Sequence, residues 1–192
     1  MSTGYNISKN HTAFTLLETL VVIALMIVIA AFTLPRLFRR APAVEWKNIA
    51  DDLNNLVLFA RHNAIEERRT LRIVFRQIAN NRDTITVEEP IDDPDRPGRV
   101  KYRPVSSYYM TTIYRLADGV KLKAVYHGKR EMLADNRGVA YGAVTPDGLV
   151  QDIVVHMTRV LNGTESGGTF KMNPFLGTFE FYDGLLRPGH ST

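Results

Sequence analysis

Few side chains in this sequence are of a type and spacing that could do chemistry. The most unusual is Glu18, a carboxylate inside the run FTLLETLVVIALMIVIAAFTL (residues 14–34), where it is the lone charged side chain. A charge at mid-bilayer costs roughly 2.5–3.5 kcal/mol on insertion scales, and less near the end of a span, so an acid kept there is expected to have a partner. Asp92, Asp93 and Asp95 in EEPIDDPDRPG (residues 88–98) are oxygen donors of the kind calcium takes. Their spacing is not that of an EF-hand and Pro94 stiffens the stretch, so a solvated turn is expected and no metal site. The five histidines (His11, His62, His127, His156 and His190) are scattered, and no HExxH, GxSxG, Walker A or GxGxxG pattern is present. With no cysteine there is no disulfide framework and no thiolate site. The sequence therefore gives no catalytic residue, no cofactor and no metal, and an enzyme is not expected.

The element that positions Glu18 is the apolar run itself. Its 21 residues make a helix of about 30 Å, the thickness of a bilayer core, uninterrupted by Gly or Pro until Pro35. A cleaved secretory signal would have a basic start, a shorter apolar stretch and an Ala-x-Ala site after it; residues 1–13 are polar and carry only Lys9. A plain signal anchor would have no use for Glu18. The whole chain has 24 basic and 20 acidic side chains, and removing Lys9 and Glu18 leaves 23 − 19 = +4 beyond the run. Acids are interspersed with the bases throughout, unlike the concentrated basic face of a strong nucleic-acid binder.

Ala13-Phe14-Thr15-Leu16-Leu17-Glu18, followed by the apolar run and Pro35, resembles the processing motif of type IV prepilins and type II secretion pseudopilins. The resemblance implies a leader of residues 1–13, an assembly helix over 14–35 that spans the bacterial inner membrane once, and a periplasmic globular domain over 36–192. It implies cleavage between Ala13 and Phe14 by a prepilin peptidase, which also methylates the new amino group of Phe14. Alanine stands at 13 where the family prefers glycine. Glu18 is then the assembly residue, its carboxylate neutralising the Phe14 amine of a neighbouring subunit. A buried pair costs on the order of 3–5 kcal/mol to break from one side, so subunit register would depend on it. Pro35 falls where the family kinks its helix. The charge flanks favour the opposite orientation, since Arg36, Arg39 and Arg40 follow the run; the motif takes precedence because the peptidase must meet the leader.

Residues 45–69 read as an amphipathic helix, with Trp46, Ile49, Ala50, Leu53, Leu56, Val57, Ala60 and Ala64 on one face. Lys47, Asp51, Asn55, Arg61 and Glu66 lie opposite, Arg68 and Arg69 close the last turn, and Pro42 bends or breaks the chain before it. From residue 70 the period becomes two, and strands are expected at 70–75, 84–87, 113–116, 120–126, 149–156 and 178–182. Asp118-Gly119 reads as a hairpin turn and Pro146-Asp147-Gly148 as another turn; NGTESGG (162–168) reads as a small polar loop. The Asn162-Gly163-Thr164 sequon carries no weight. The expected fold is α+β: one long N-terminal helix, transmembrane in its first half, packed on a mostly antiparallel β-sheet. Ala60-Arg61-His62-Asn63-Ala64-Ile65 and Asn173-Pro174-Phe175-Leu176-Gly177 resemble segments of the GspH/FimT group of minor pseudopilins. That resemblance implies a structural subunit near the tip of a type II secretion pseudopilus. Its partners would be other pseudopilins, the prepilin peptidase/methyltransferase, the inner membrane and secreted protein cargo. The alternative is a FimT-like minor pilin of a type IV pilus contacting DNA, for which Arg187 and His190 offer little basic charge; nucleic acid is not expected.

Overall fold

The computed structural model describes residues 16–37, 42–79, 81–107, 111–161 and 163–186, and the side chains of all these except 32–37, 42–45 and 161. The chain divides into two compact units, Met1–Pro42 and Ala43–Thr192.

The first unit contains α1 (Leu16–Leu37), 22 residues long. The apolar run provides strong helix formers and no breaker before Pro35, which falls in the last turn. In the first turn, the Thr19 hydroxyl donates to the Leu16 carbonyl at 2.8 Å. Between Leu16 and Ala31 every side chain except Ala30 is exposed. Among the described residues no helix is long and apolar enough to cross a membrane. Described side chains in α1 cover 16 residues, about 24 Å of helix, and the expected span of 14–34 extends past them at both ends.

The second unit holds all of α2 (Pro42–Glu66) but its first residue; Pro42 begins that helix, in the first-turn position where its missing N–H is no loss. The strands follow as β1 (Leu71–Arg76), β2 (Thr84–Asp92), β3 (Val100–Pro104), β4 (Ile113–Arg115), β5 (Val120–His127) and β6 (Arg130–Glu131). A single turn of helix, α3 (Met132–Asp135), precedes β7 (Val139–Val144), β8 (Val154–Leu161), β9 (Thr164–Asn173) and β10 (Thr178–Asp183). They build two five-stranded sheets: β3-β2-β1-β7 with β4 also on β2, and β10-β9-β8-β5-β6. Every strand pairing is antiparallel. The face of α2 expected from periodicity (Trp46, Ile49, Leu53, Leu56, Val57, Ala60, Ala64) is buried in one core with Ile73, Phe75, Val87, Val155, Met157 and Phe170 of the strands.

Several expectations are corrected. The fold is α+β, with α2 packed on antiparallel strands as expected, but the strands form two sheets and not one. Asp118-Gly119 is a tight turn, with Val120 N–H donating to the Ala117 carbonyl at 3.1 Å, but it makes no hairpin. β4 pairs with β2 in one sheet and β5 with β8 in the other, so the turn carries the chain between sheets. Local turn chemistry fixes a reversal of direction; long-range pairing decides the partner. Most of 162–168 is not loop, since β9 begins at Thr164. Gly167 and Gly168 are in that strand because side chains there would collide, at 2.8 Å, with Leu185 and Phe181 respectively. The first half of the acidic segment is the end of β2, and 149–153 is irregular, β8 starting only at Val154.

α2 ends at Glu66, so Arg68 and Arg69 lie beyond it. The Arg69 N–H donates to the Ala64 carbonyl at 3.2 Å and that of Arg68 to Ile65 at 3.4 Å. That bond pair is a Schellman turn, and Arg68 takes its left-handed position with φ of 50° where glycine is usual.

Candidate functional site

The expected processing residues Ala13 and Phe14 lie outside the described residues, as do Arg187 and His190. Glu18 sits in the first turn of α1, where a carboxylate favourably opposes the positive end of the helix dipole. Leu17 and Leu20 beside it are exposed, and exposure continues along Val21, Val22, Ile23, Leu25, Met26 and Ile27. Successive residues on a helix step by about 100°, so an unbroken apolar series covers every side of it. Among the described residues, α1 offers an apolar cylinder with one acid near its start.

In the globular unit the polar side chains act as fasteners. The Asn54 side chain accepts from the Phe179 N–H at 2.5 Å and donates to the Phe179 carbonyl at 3.4 Å. It thereby occupies backbone groups on the outer edge of β10, tying α2 to the second sheet and blunting a free strand edge. Arg61, expected on the solvent face, is half-buried instead: its Nε donates to the Gly148 carbonyl at 2.8 Å and an Nη to the Leu176 carbonyl at 2.5 Å. Both glycines beside it have positive φ, and a side chain at Gly177 would fall 2.5 Å from the Arg61 stem. The sole tryptophan, Trp46, stacks on Phe181 at 6.0 Å and meets Phe170 edge-on at 6.0 Å. Spacing alone did not single out Asn54, because an amide one step from a buried face reads as solvated.

Of the acids expected in a solvated turn, Asp93 and Asp95 are paired with Lys101. Asp93 is buried, and its carboxylate accepts from the Asp95 N–H at 3.0 Å and meets the Lys101 ammonium at 2.8 Å. Bonds to Asp93 first, then to Asp95, raise the pKa of Lys101 above the ordinary lysine value. Among the described residues no three His, Cys, Asp or Glu side chains gather as a metal site. Glu88 accepts from Arg72 at 3.1 Å and Arg76 at 2.6 Å, and Glu89 bridges Arg69 and Arg103. Asp83 accepts from the N–H groups of Ile78 and Leu122 at 2.9 and 2.8 Å, pinning the 77–83 loop to β5. The open cleft of about 530 Å³ beside it, lined by Gln77, Lys121 and Arg137 among others, places no acid–base pair beyond that structural carboxylate. His156, one of the scattered histidines, is buried beside Tyr126 at 5.1 Å. Burial lowers its pKa, opposed by a bond to the Leu186 carbonyl and by Glu131.

No protein-family model matches the chain, and no curated protein does. Among solved structures, the chain is similar to the minor pseudopilin EpsH from the Type 2 Secretion System of Vibrio cholerae, at 18% identity and a TM-score of 0.47. The match covers 76% of this chain and 99% of that one.

Proposed function

We propose that the chain is the precursor of a structural pilin-like subunit, a minor pseudopilin of the type II secretion class, anchored in a bacterial inner membrane. The observation that carries this reading is the N-terminal pattern: a polar leader, Ala13-Phe14, Glu18 in the first turn of α1, and an exposed apolar helix joined to a separately packed globular unit. The peptidase removes residues 1–13 and methylates Phe14. Phe14, Thr15 and the residues up to Leu34 complete a span of about 30 Å, and Pro35 bends the helix as it leaves the bilayer. The globular domain faces the periplasm, where it joins other pseudopilins near the filament tip and meets secreted protein cargo. Glu18 of an incoming subunit neutralises the Phe14 amine of a neighbour, relieving two desolvated charges together. No bond is made or broken by the subunit itself.

The test is mass spectrometry of the full-length protein recovered from the membranes of cells with an active prepilin peptidase. Loss of residues 1–13 with a methylated Phe14 is expected; an intact leader sinks the reading. Glu18→Gln keeps size and hydrogen-bonding capacity and removes only charge. It should leave insertion and cleavage intact and reduce cross-linking to other pseudopilins. Equal cross-linking of the variant and the parent removes the charge pair from the mechanism.

A further inference from the structure

One face of the first sheet lies in the core through Ile73, Phe75, Ile85, Val87 and Val144. Strand alternation puts Arg72, Val74 and Arg76 of β1, Thr84, Thr86 and Glu88 of β2, Arg115 of β4 and Tyr141 of β7 on the opposite face. The pairings set out rows across it: Arg115, Thr84, Arg76, Val139 in one, and Glu88, Arg72, Ala143 in another. Arg76 and Arg115 are two strands apart, about 10 Å, and Arg72 is four residues from Arg76 along β1, about 13 Å.

On this face Val74 and Thr86 are only 1% and 3% exposed. Arg76 reaches along the sheet to Glu88, and the Arg72 guanidinium lies 3.3 Å from the ring centre of Tyr102 and 5.1 Å from that of Tyr141. The Arg72 and Arg76 side chains are partly exposed, at 23% and 37%, so long stems can lie along the sheet with the charged heads at the surface. These rows hold three guanidiniums and one carboxylate, Glu88, which pairs with Arg72 and Arg76. Arg115 is exposed and makes no ion pair among the described residues. Asp92, the next acid on this face, lies eight residues from Thr84, about 27 Å away.

We propose that this face docks a protein partner presenting carboxylates, which meet the Arg115–Arg76 row while Tyr102 and Tyr141 form the apolar walls of the contact. Charge complementarity calls for an anion, and the kind of cation decides which. The face has arginine and tyrosine, the residues enriched at the centres of protein interfaces, and no lysine. A nucleic-acid track needs a longer line of phosphate contacts, and an anionic membrane recruits clusters of about four to eight bases. Tyr102 and Tyr141, each 41% exposed, supply rigid contact area that costs little side-chain entropy to order. The face belongs to the globular unit and does not involve N-terminal processing, so its failure and that of the pilin-like reading are separable.

The experiment uses the full chain in neutral detergent and a fluorescent extended peptide alternating Glu and Val. The parent protein should bind it, Arg115→Glu should weaken binding by about tenfold or more, and Arg115→Lys by less. Trp46 fluorescence, unchanged in both variants, checks that the fold is intact. Oligothymidylate and short-chain phosphatidylglycerol form the other arms. Equal peptide affinity of the parent and Arg115→Glu, including no binding by either, overturns the proposal. So does a dependence on Arg115 that appears with oligothymidylate or the lipid and not with the peptide.

Discussion

In α1 the apolar side chains run round the whole helix, from Leu16 and Leu17 through Leu20–Ile23 and Leu25–Ile29, and all are exposed. In α2 they are confined to a stripe, Trp46, Ile49, Leu53, Leu56, Val57, Ala60 and Ala64, and all are buried. The helices are of similar length, 22 and 25 residues, so the pattern and not the extent of apolar surface separates them. A striped helix is satisfied by one wall of core. A helix apolar on every side needs an apolar surround on every side, and the unit Met1–Pro42 does not itself provide one for α1. In the proposed function that surround is the bilayer and the neighbouring subunits, with α1 as the anchoring element and α2 as the organiser of the globular unit.

The largest effect expected from this contrast is at Leu53, 1% exposed in the middle of the α2 stripe. Leu53→Ala removes buried methyl groups and leaves a cavity, and should cost roughly 2–5 kcal/mol. Leu25→Ala in α1 should change the same measurement by less than about 0.5 kcal/mol. Denaturant unfolding of the full chain in detergent, followed by fluorescence, reads the globular unit alone because the sole tryptophan is Trp46 of α2. A Leu53→Ala cost as small as that of Leu25→Ala would erase the distinction between the helices.

The next effect is at Asn54, on the margin of the stripe. Asn54→Ala leaves the Phe179 N–H and carbonyl without their partner, which costs about 1–3 kcal/mol for part-buried groups. Asn55→Ala, one position further round on an exposed site, should be close to neutral. Amide hydrogen exchange sharpens the comparison: protection at Phe179 should fall in the first variant and hold in the second. Undiminished protection at Phe179 in Asn54→Ala would mean that α2 is held to β10 by apolar packing alone.

Much of this was legible in sequence, for a physical reason. The α2 face is a periodicity of single residues, and each of its expected positions is buried. β1, β2, β5 and β10 were visible through alternation near their observed places. What could not be read was which strands pair. Asp118-Gly119 specifies a local reversal equally well within a sheet or between two sheets, and the choice rests on contacts such as Leu116 N–H to the Asp83 carbonyl, 33 residues apart in sequence (116 − 83). Polar fasteners were hidden for the same reason: Arg61 looks solvated until the turns at Gly148 and Gly177 are brought to it. At the N-terminus the position is reversed. Residue types carry the reading there, and Ala13 and Phe14 lie outside the described residues.

The smallest expected effect is of opposite sign and concerns how α2 ends. Its Schellman turn requires a left-handed residue, and Arg68 fills that position with φ of 50°. For an L-residue with a Cβ that conformation costs roughly 1–2 kcal/mol, because the Cβ crowds the following carbonyl oxygen. Glycine pays no such penalty but loses more backbone freedom on folding, which takes back part of the gain. Arg68→Gly should therefore stabilise the globular unit by about 0.5–1 kcal/mol. Arg68 is exposed and its side chain takes no part in an ion pair among the described residues, unlike Arg69, which bonds Glu67 and Glu89. Replacing it thus removes strain without removing a contact. Arg68→Ala, which keeps the Cβ, should show none of the gain, and the pair of variants separates backbone strain from loss of charge near the helix end. A gain in both, read by the same Trp46 unfolding curve, would mean that the arginine charge and not its left-handed backbone is what weakens the end of α2.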